Sequence, residues 1–148
     1  MQISFKGAEA YVWLTLLCAA LYLPGLMTLP PIDRDEARFA QASRQMVESG
    51  DYVRIRFQEE PRHKKPIGIY WLQAGFVKTL GGSASRHIWP YRIPSLLGAT
   101  LAVLLTFMWG RRMTPPRSAL LGAGLLAGSL LLVFEAHQAT TDAALLAA

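Results

Sequence analysis

The 148-residue sequence contains one cysteine, Cys18, so neither a disulfide framework nor a cysteine-based metal site can be built within it. Its three histidines, His63, His87 and His137, share no spacing that gathers them on one face, and each reads as an interfacial polar residue rather than a metal ligand. There is no Gly-rich phosphate loop, no Ser-His-Asp order, no internal repeat and no low-complexity tract. The net charge is +5, yet acids interrupt the basic residues and no nucleic-acid motif occurs, which argues against a nucleic-acid partner. A basic face meeting anionic phosphate lipids fits this charge better.

Charge is also nearly missing from three long stretches, residues 11–29, 93–110 and 118–134. A hydrocarbon core of about 30 Å takes about 17–25 apolar residues as a helix. A soluble domain rarely carries three such runs, so an integral membrane chain is expected. The weakly basic "MQISFK" could open a signal peptide, but no small-x-small cleavage site closes the first run and "LPGLMTLPPID" follows it. The run is therefore read as a retained span, with Cys18 a small apolar residue inside it.

What charge there is concentrates between Pro30 and Arg92, with eleven Lys/Arg and seven Asp/Glu. The expected order is all-α: span, long polar insert (about 30–92), span, short basic turn "RRMTPPR", span, then a fourth helix beginning at 142–148. Because that last helix has only its opening turns, the chain is expected to be the N-terminal part of a larger multi-span protein. Within the insert, Asp33 followed by Glu36 has the spacing of a capping box. Phe39, Ala42, Gln45 and Met46 then recur on one side, predicting an amphipathic helix over 34–49 that ends at Gly50. Pro66 suits a first helical position, and a second helix through "IGIYWLQAGFVKTL" should stop at Gly81-Gly82. Its Tyr70, Trp71 and Phe76 suit the interfacial zone. Residues 51–65 read as extended or loop. Gly124 and Gly128, at small-xxx-small spacing, permit close approach of another helix, a common packing feature and not a functional sign.

Several side chains could carry chemistry. Asp33-Arg34-Asp35 is a D-x-D pattern, used by many sugar-nucleotide transferases to hold a divalent metal, but the same acids suit a helix N-terminus, where they are typically worth about 0.3–1 kcal/mol. Asp35 is the one that capping does not require. Lys64 and Lys65, beside a proline that starts a helix, read either as phosphate binders or as a snorkelling pair. Arg92, just before the second long apolar run, reads as an interfacial anchor or a phosphate ligand. Asp142, at the start of a membrane helix, is a functional candidate by its depth, though "TTD" also makes an N-cap.

Taken in order, "PIDRDEARFAQASRQMVESGDYV", "KKPIGIYWLQA", "YRIPS" and "TTDAALLA" resemble the start of the polyprenyl-phosphate-sugar-dependent GT-C membrane glycosyltransferases. Within that family they are similar to the undecaprenyl-phosphate aminoarabinose transferase of lipid A and the protein O-mannosyltransferase-like group. The resemblance covers nearly the whole chain. It implies a polytopic membrane protein with GT-C-type helices and amphipathic juxtamembrane helices in the first periplasmic loop. It also implies a catalytic aspartate at Asp35, with Glu36 beside it, Arg38 three residues on, Lys65 meeting the donor phosphate, and Asp142 as a second acid near the cavity. Arg92 joins these as a candidate substrate-binding residue. Asp33 has no matching role, so the resemblance implies metal-independent transfer without a cofactor. Two positions depart from the family pattern: Phe39 stands where a tyrosine is common, and Lys64 where an acid is frequent.

The implied partners are a polyprenyl-phosphate-linked sugar donor, a lipid or protein acceptor and the membrane. The implied location is the bacterial inner membrane, multi-pass, with the site facing the periplasm. Eleven basic residues in the insert would favour the cytoplasm by the positive-inside rule, but long loops translocate largely regardless of charge and "RRMTPPR" is a compact cytoplasmic-type turn. The residues by themselves leave open two other readings, a non-enzymatic transport or assembly subunit binding anionic lipids, and a metal-dependent D-x-D oligosaccharyltransferase-like enzyme.

Overall fold

A computed structural model describes residues 7–62, 65–80 and 86–148. Its described residues are mostly helical: α1 (Gly7–Tyr22), α2 (Arg34–Ser49), α3 (Ile67–Leu80), α4 (Trp89–Met113), α5 (Pro116–Ala127), α6 (Leu130–Ala136) and α7 (Asp142–Ala147). A short antiparallel hairpin, β1 (Arg56–Phe57) and β2 (Glu60–Pro61), lies in the stretch expected to be extended or loop, pairing Arg56 with Pro61 and Phe57 with Glu60. His63, Lys64, the "MQISFK" start and the Gly81-Gly82 helix stop lie outside the described residues.

The three expected spans are only partly realised. The first was expected over 11–29, but α1 ends at Tyr22. Pro24 has no amide to continue the ladder and disfavours helix at the residue before it, and Gly25 takes a left-handed φ of 85°. Residues 23–29 instead form tight turns, with Leu29 N donating to Gly25 O at 2.9 Å. The second run became a longer helix, α4, of 25 residues, the one described helix long and apolar enough by itself to cross a bilayer. The third run is broken. The α5 and α6 axes bend by 59° across Gly128-Ser129, where Ser129 Oγ accepts from Leu132 N and caps the second piece.

Packing follows small residues at helical spacing. Ala10, Leu14, Cys18 and Tyr22 form one buried stripe of α1, set against Ala99, Val103 and Phe107 of α4 and Ala119, Ala123 and Ala127 of α5. Tyr11 meets Phe107 edge-on at 5.0 Å, and the Tyr22 hydroxyl donates to the Ala127 carbonyl at 3.0 Å, satisfying an orphan oxygen at the end of α5. The close approach that Gly124 and Gly128 permit is not used by the described helices; a Cβ on Gly124 would meet nothing within 4 Å. Contact falls at Gly98, where a Cβ would lie 2.7 Å from both Ala143 O and Ala144 Cα, so α4 admits α7 only because residue 98 lacks a side chain. Outward faces expose Trp13, Leu16, Leu101, Leu125 and Leu131.

The insert has its own apolar cluster. Phe39, Ala42 and Met46 of α2 pack on Ile69, Tyr70 and Ala74 of α3, with Ile55 beneath the hairpin. α2 has the bounds its sequence predicts. Asp33 caps its start, and Gly50, at φ 72°, closes its end by donating to Met46 O at 3.1 Å. The hairpin is latched to α2 by Gln45, whose amide accepts from Gln58 N at 2.8 Å and donates to Gln58 O at 3.1 Å, holding that residue at a φ of 58°.

Candidate functional site

The insert docks on the helices through a buried polar hub centred on Arg92. Its guanidinium donates from Nε to Glu36 Oε1 at 2.7 Å and from Nη2 to Glu36 Oε2 at 3.2 Å. The remaining donors reach the carbonyls of Leu26 (3.1 Å), Leu29 (2.8 Å) and Pro30 (3.2 Å). Both Arg92 and Glu36 are 0% exposed. A planar fork of five N–H groups is the side chain suited to tie a carboxylate and three turn carbonyls at once. Glu36 Oε1 also accepts from Ala139 N at 3.1 Å, drawing the segment between α6 and α7 into the same hub.

That segment, residues 137–141, is a buried strap without regular structure. Gln73 donates to Ala139 O at 3.1 Å while receiving the Ser43 hydroxyl at 2.6 Å, and Ser95 donates to Thr140 O at 3.1 Å. His137 lies at 2.7 Å from Val133 O and 2.8 Å from Pro24 O, so it is a buried tie between strands of chain rather than the interfacial polar residue expected. His87 is exposed.

Above the hub the candidate side chains reach the surface. Asp33 Oδ1 accepts from Asp35 N at 3.0 Å, so the first acid of the D-x-D is spent on capping α2. The predicted capping box is only half formed, since Glu36, expected to reach back to the start of the helix, turns inward to Arg92. Asp35 is exposed and takes Arg38 Nη1 at 3.0 Å. The Arg38 hydrogen bond first, and the charges of Arg38, Arg62 and Arg34 after it, hold the Asp35 carboxyl below the usual carboxylate range. Lys65 is exposed at the bend that leads into α3. Asp142 is exposed in the first turn of α7 and accepts from the Thr141 hydroxyl at 3.2 Å.

Two side chains not singled out from the sequence join this rim. Glu135, half-buried near the end of α6, accepts from the Thr140 hydroxyl at 3.1 Å and lies within Coulombic range of both Asp142 and Asp33. The signal for it was present, an ionisable residue at the end of an apolar run, by the reasoning that picked out Asp142. Arg62 is the second, half-buried and acting on Asp35. Asp33 and Asp142 thus act through their charges on Glu135, and Arg38 and Arg62 on Asp35. Among the described residues, no three His, Cys, Asp or Glu side chains are grouped as a metal site. Glu36 and Arg92, expected to touch substrate, have their polar atoms turned to each other and to backbone, a geometry that positions the rim from below.

Chemically, the surface pairs an ionised, solvent-reached carboxylate with flanking cations. Such a set can orient and deprotonate a hydroxyl while meeting an anionic leaving group. The chain is 31% identical over 137 residues to the undecaprenyl phosphate-alpha-4-amino-4-deoxy-L-arabinose arabinosyl transferase of Pseudomonas paraeruginosa, covering 88% of this chain and 24% of that one. It is 38% identical over 101 residues to arabinosyl transferase 2 of the same description from Pseudomonas fluorescens, covering 64% and 17%, and 30% identical over 136 residues to that of Edwardsiella ictaluri, covering 88% and 23%. The chain therefore spans a quarter or less of the length of these curated relatives. No solved structure gives a significant match. The model of the dolichyl-phosphate-mannose-protein mannosyltransferase family matches residues 64–148, from the loop before α3 through the strap to α7, and the chain belongs to that family.

Proposed function

We propose that the chain forms the N-terminal part of a GT-C glycosyltransferase that moves a sugar from a polyprenyl phosphate to an acceptor at the outer face of the bacterial inner membrane. The observation that carries this reading is Asp35, exposed and ionised beside Arg38 and Arg62 on a rim held from beneath by the Glu36–Arg92 hub. The names of the relatives support undecaprenyl phosphate as the lipid of the donor. Lipid A, another glycolipid and protein hydroxyls remain the acceptor classes.

In this reading Asp35 takes the proton of the acceptor hydroxyl as its oxygen attacks the anomeric carbon. The bond from that carbon to the phosphate oxygen breaks, and the polyprenyl phosphate leaves with both bonding electrons, inverting the anomeric centre. General-base assistance of this kind is typically worth about 10²–10⁴-fold. Lys65 stabilises the charge that grows on the departing phosphate. Asp142 and Glu135 line the acid-rich side, suited to sugar or acceptor hydroxyls and to the amino group of an aminosugar. Arg92 and Glu36 act through the backbone they hold. The exposed apolar faces of α1, α4 and the α5–α6 pair would face lipid, with the insert outside and "RRMTPPR" inside, so that the lipid tail lies in the bilayer as its head group meets the rim.

The test is sugar transfer from labelled undecaprenyl-phosphate sugars in membranes carrying the transferase with this chain in place. Asp35→Asn should reduce transfer by about 10²-fold or more, Asp33→Asn should leave most of it, and EDTA should have no effect. Full activity of Asp35→Asn would remove the catalytic assignment and favour a lipid-binding subunit. Loss at Asp33→Asn together with EDTA sensitivity would favour metal-dependent transfer.

A further inference from the structure

Arg62 lies outside the sequence motifs that resemble the family, yet its side chain has fixed partners. Its backbone N donates to Ile55 O at 2.8 Å, continuing the hairpin, and its Nε donates to the Tyr70 hydroxyl at 3.2 Å. Its guanidinium carbon sits 5.4 Å from the centroid of Phe39, and Phe39 is stacked on Tyr70 at 5.3 Å with 29° between the rings. Phe39 and Tyr70 are 2% and 0% exposed, so this aromatic bed is rigid. A guanidinium laid on such a bed has lost most of its rotamer freedom before any ligand arrives.

Neither terminal nitrogen of Arg62 has a hydrogen-bond partner among the described residues. One edge, through Nε, serves Tyr70; the charge reaches Asp35, whose oxygen is already bonded to Arg38 rather than to Arg62. An arginine ordered this carefully, half-buried and close to a carboxylate that pairs elsewhere, is arranged for an anion that is not part of the chain. Lys65, three residues on and exposed, adds a second cation on the same connection.

We propose that Arg62 is a further donor-binding residue, its terminal nitrogens meeting the phosphate of the polyprenyl-phosphate sugar beside Asp35. This rests on the transferase reading. Planar, bidentate recognition of phosphate is what arginine supplies and lysine does not, so Arg62 sets the phosphate's orientation while Lys65 contributes charge. The Phe39–Tyr70 stack places it: Tyr70 fixes the Nε edge, and Phe39 offers a face without a hydroxyl that could compete for the guanidinium.

The experiment measures transfer kinetics and inhibition in the same membranes for wild type, Arg62→Gln, Arg62→Lys and Tyr70→Phe, with undecaprenyl phosphate, undecaprenol and inorganic phosphate as competing probes. Arg62→Gln should raise the donor KM about tenfold to a hundredfold, as expected for lost charge-assisted hydrogen bonds, with acceptor KM unchanged. Arg62→Lys should recover part of that loss and Tyr70→Phe should show a smaller rise. Undecaprenyl phosphate should inhibit wild type far better than undecaprenol, and that difference should shrink in Arg62→Gln; inhibition by inorganic phosphate alone would mark the phosphate, not the lipid, as the recognised part. An unchanged donor KM in Arg62→Gln, or a KM change confined to the acceptor, overturns the proposal. If Arg62→Gln fails to accumulate, the folded Arg62→Lys and Tyr70→Phe variants decide by the same KM criterion. Should Asp35→Asn retain activity while Arg62→Gln loses undecaprenyl phosphate inhibition, the catalytic reading fails and the phosphate site stands.

Discussion

At the scale of single residues, neighbours in sequence were given opposite tasks. Asp35 faces solvent with Arg38, whereas Glu36 is sealed in with Arg92. Depression of a carboxyl below its ordinary range means that its ionised form is favoured by the fold, and that this contribution is present above the ordinary carboxylate pKa and lost as pH falls through the lowered one. A general base at Asp35 therefore stays competent into mildly acid solution. Arg38→Gln removes the leading cause of the depression, and the acid limb of the pH–rate profile should move up toward the ordinary carboxylate range, read from kcat/KM between pH 3 and 7. The buried pair responds differently. Glu36→Gln or Arg92→Met leaves one polar partner uncompensated inside, which should cost about 3–5 kcal/mol and appear as lost thermal stability in detergent. The double variant Glu36→Gln with Arg92→Met should be less damaging than the sum of the two.

At the scale of elements, the boundaries of α2 were legible because local chemistry settles them: Asp33 at one end and a left-handed Gly50 at the other. The end of α1 was not, since Pro24-Gly25 sits inside an apolar run whose hydropathy continues to Leu29. Hydropathy averages over a break that two residues make. The bend at Gly128-Ser129 escaped for the same reason. Small-xxx-small spacing at Gly124 and Gly128 says that an approach is possible and not whether or which helix arrives; at Gly98 the neighbour is α7, more than forty residues on, as the contacts to Ala143 and Ala144 show. Gly98→Ala should therefore push α7 outward, costing about 1–3 kcal/mol by overpacking and lowering transfer through displaced Asp142. Gly124→Ala, where a Cβ meets nothing within 4 Å, should leave both stability and transfer near wild type.

At the scale of the whole molecule, the insert and the apolar helices are joined by the polar hub and by a small apolar cluster of Ala40 and Val77 with Tyr91 and Ala139. Glu36 and Arg92 are 56 residues apart, and Glu36 and Ala139 are 103 apart, separations no local pattern encodes. That is why Glu36 and Arg92 were each singled out from the sequence as substrate-binding candidates and not as partners of one another. The proposed topology has a direct check. In intact cells a membrane-impermeant maleimide should label Ser49→Cys, which lies exposed at the end of α2, and should not label Thr114→Cys in the basic turn until the cells are opened. Native Cys18, 1% exposed, should stay silent in both. Labelling of Thr114→Cys from outside would invert the orientation.

The strap at 137–141 also has a consequence for how the protein is made. A chain leaves the ribosome from its N-terminus, so the insert emerges long before Ala139 exists. Until residues 137–141 arrive, Glu36 lacks the Ala139 amide, Gln73 lacks the Ala139 carbonyl and Ser95 lacks the Thr140 carbonyl. The early helices therefore reach the bilayer with open polar sockets that only a later piece of the same polypeptide can close. Truncation just before residue 137 should leave a species that inserts but is quickly removed by membrane proteases, and the passage of the strap into its sockets marks the moment at which insert and helices are tied together.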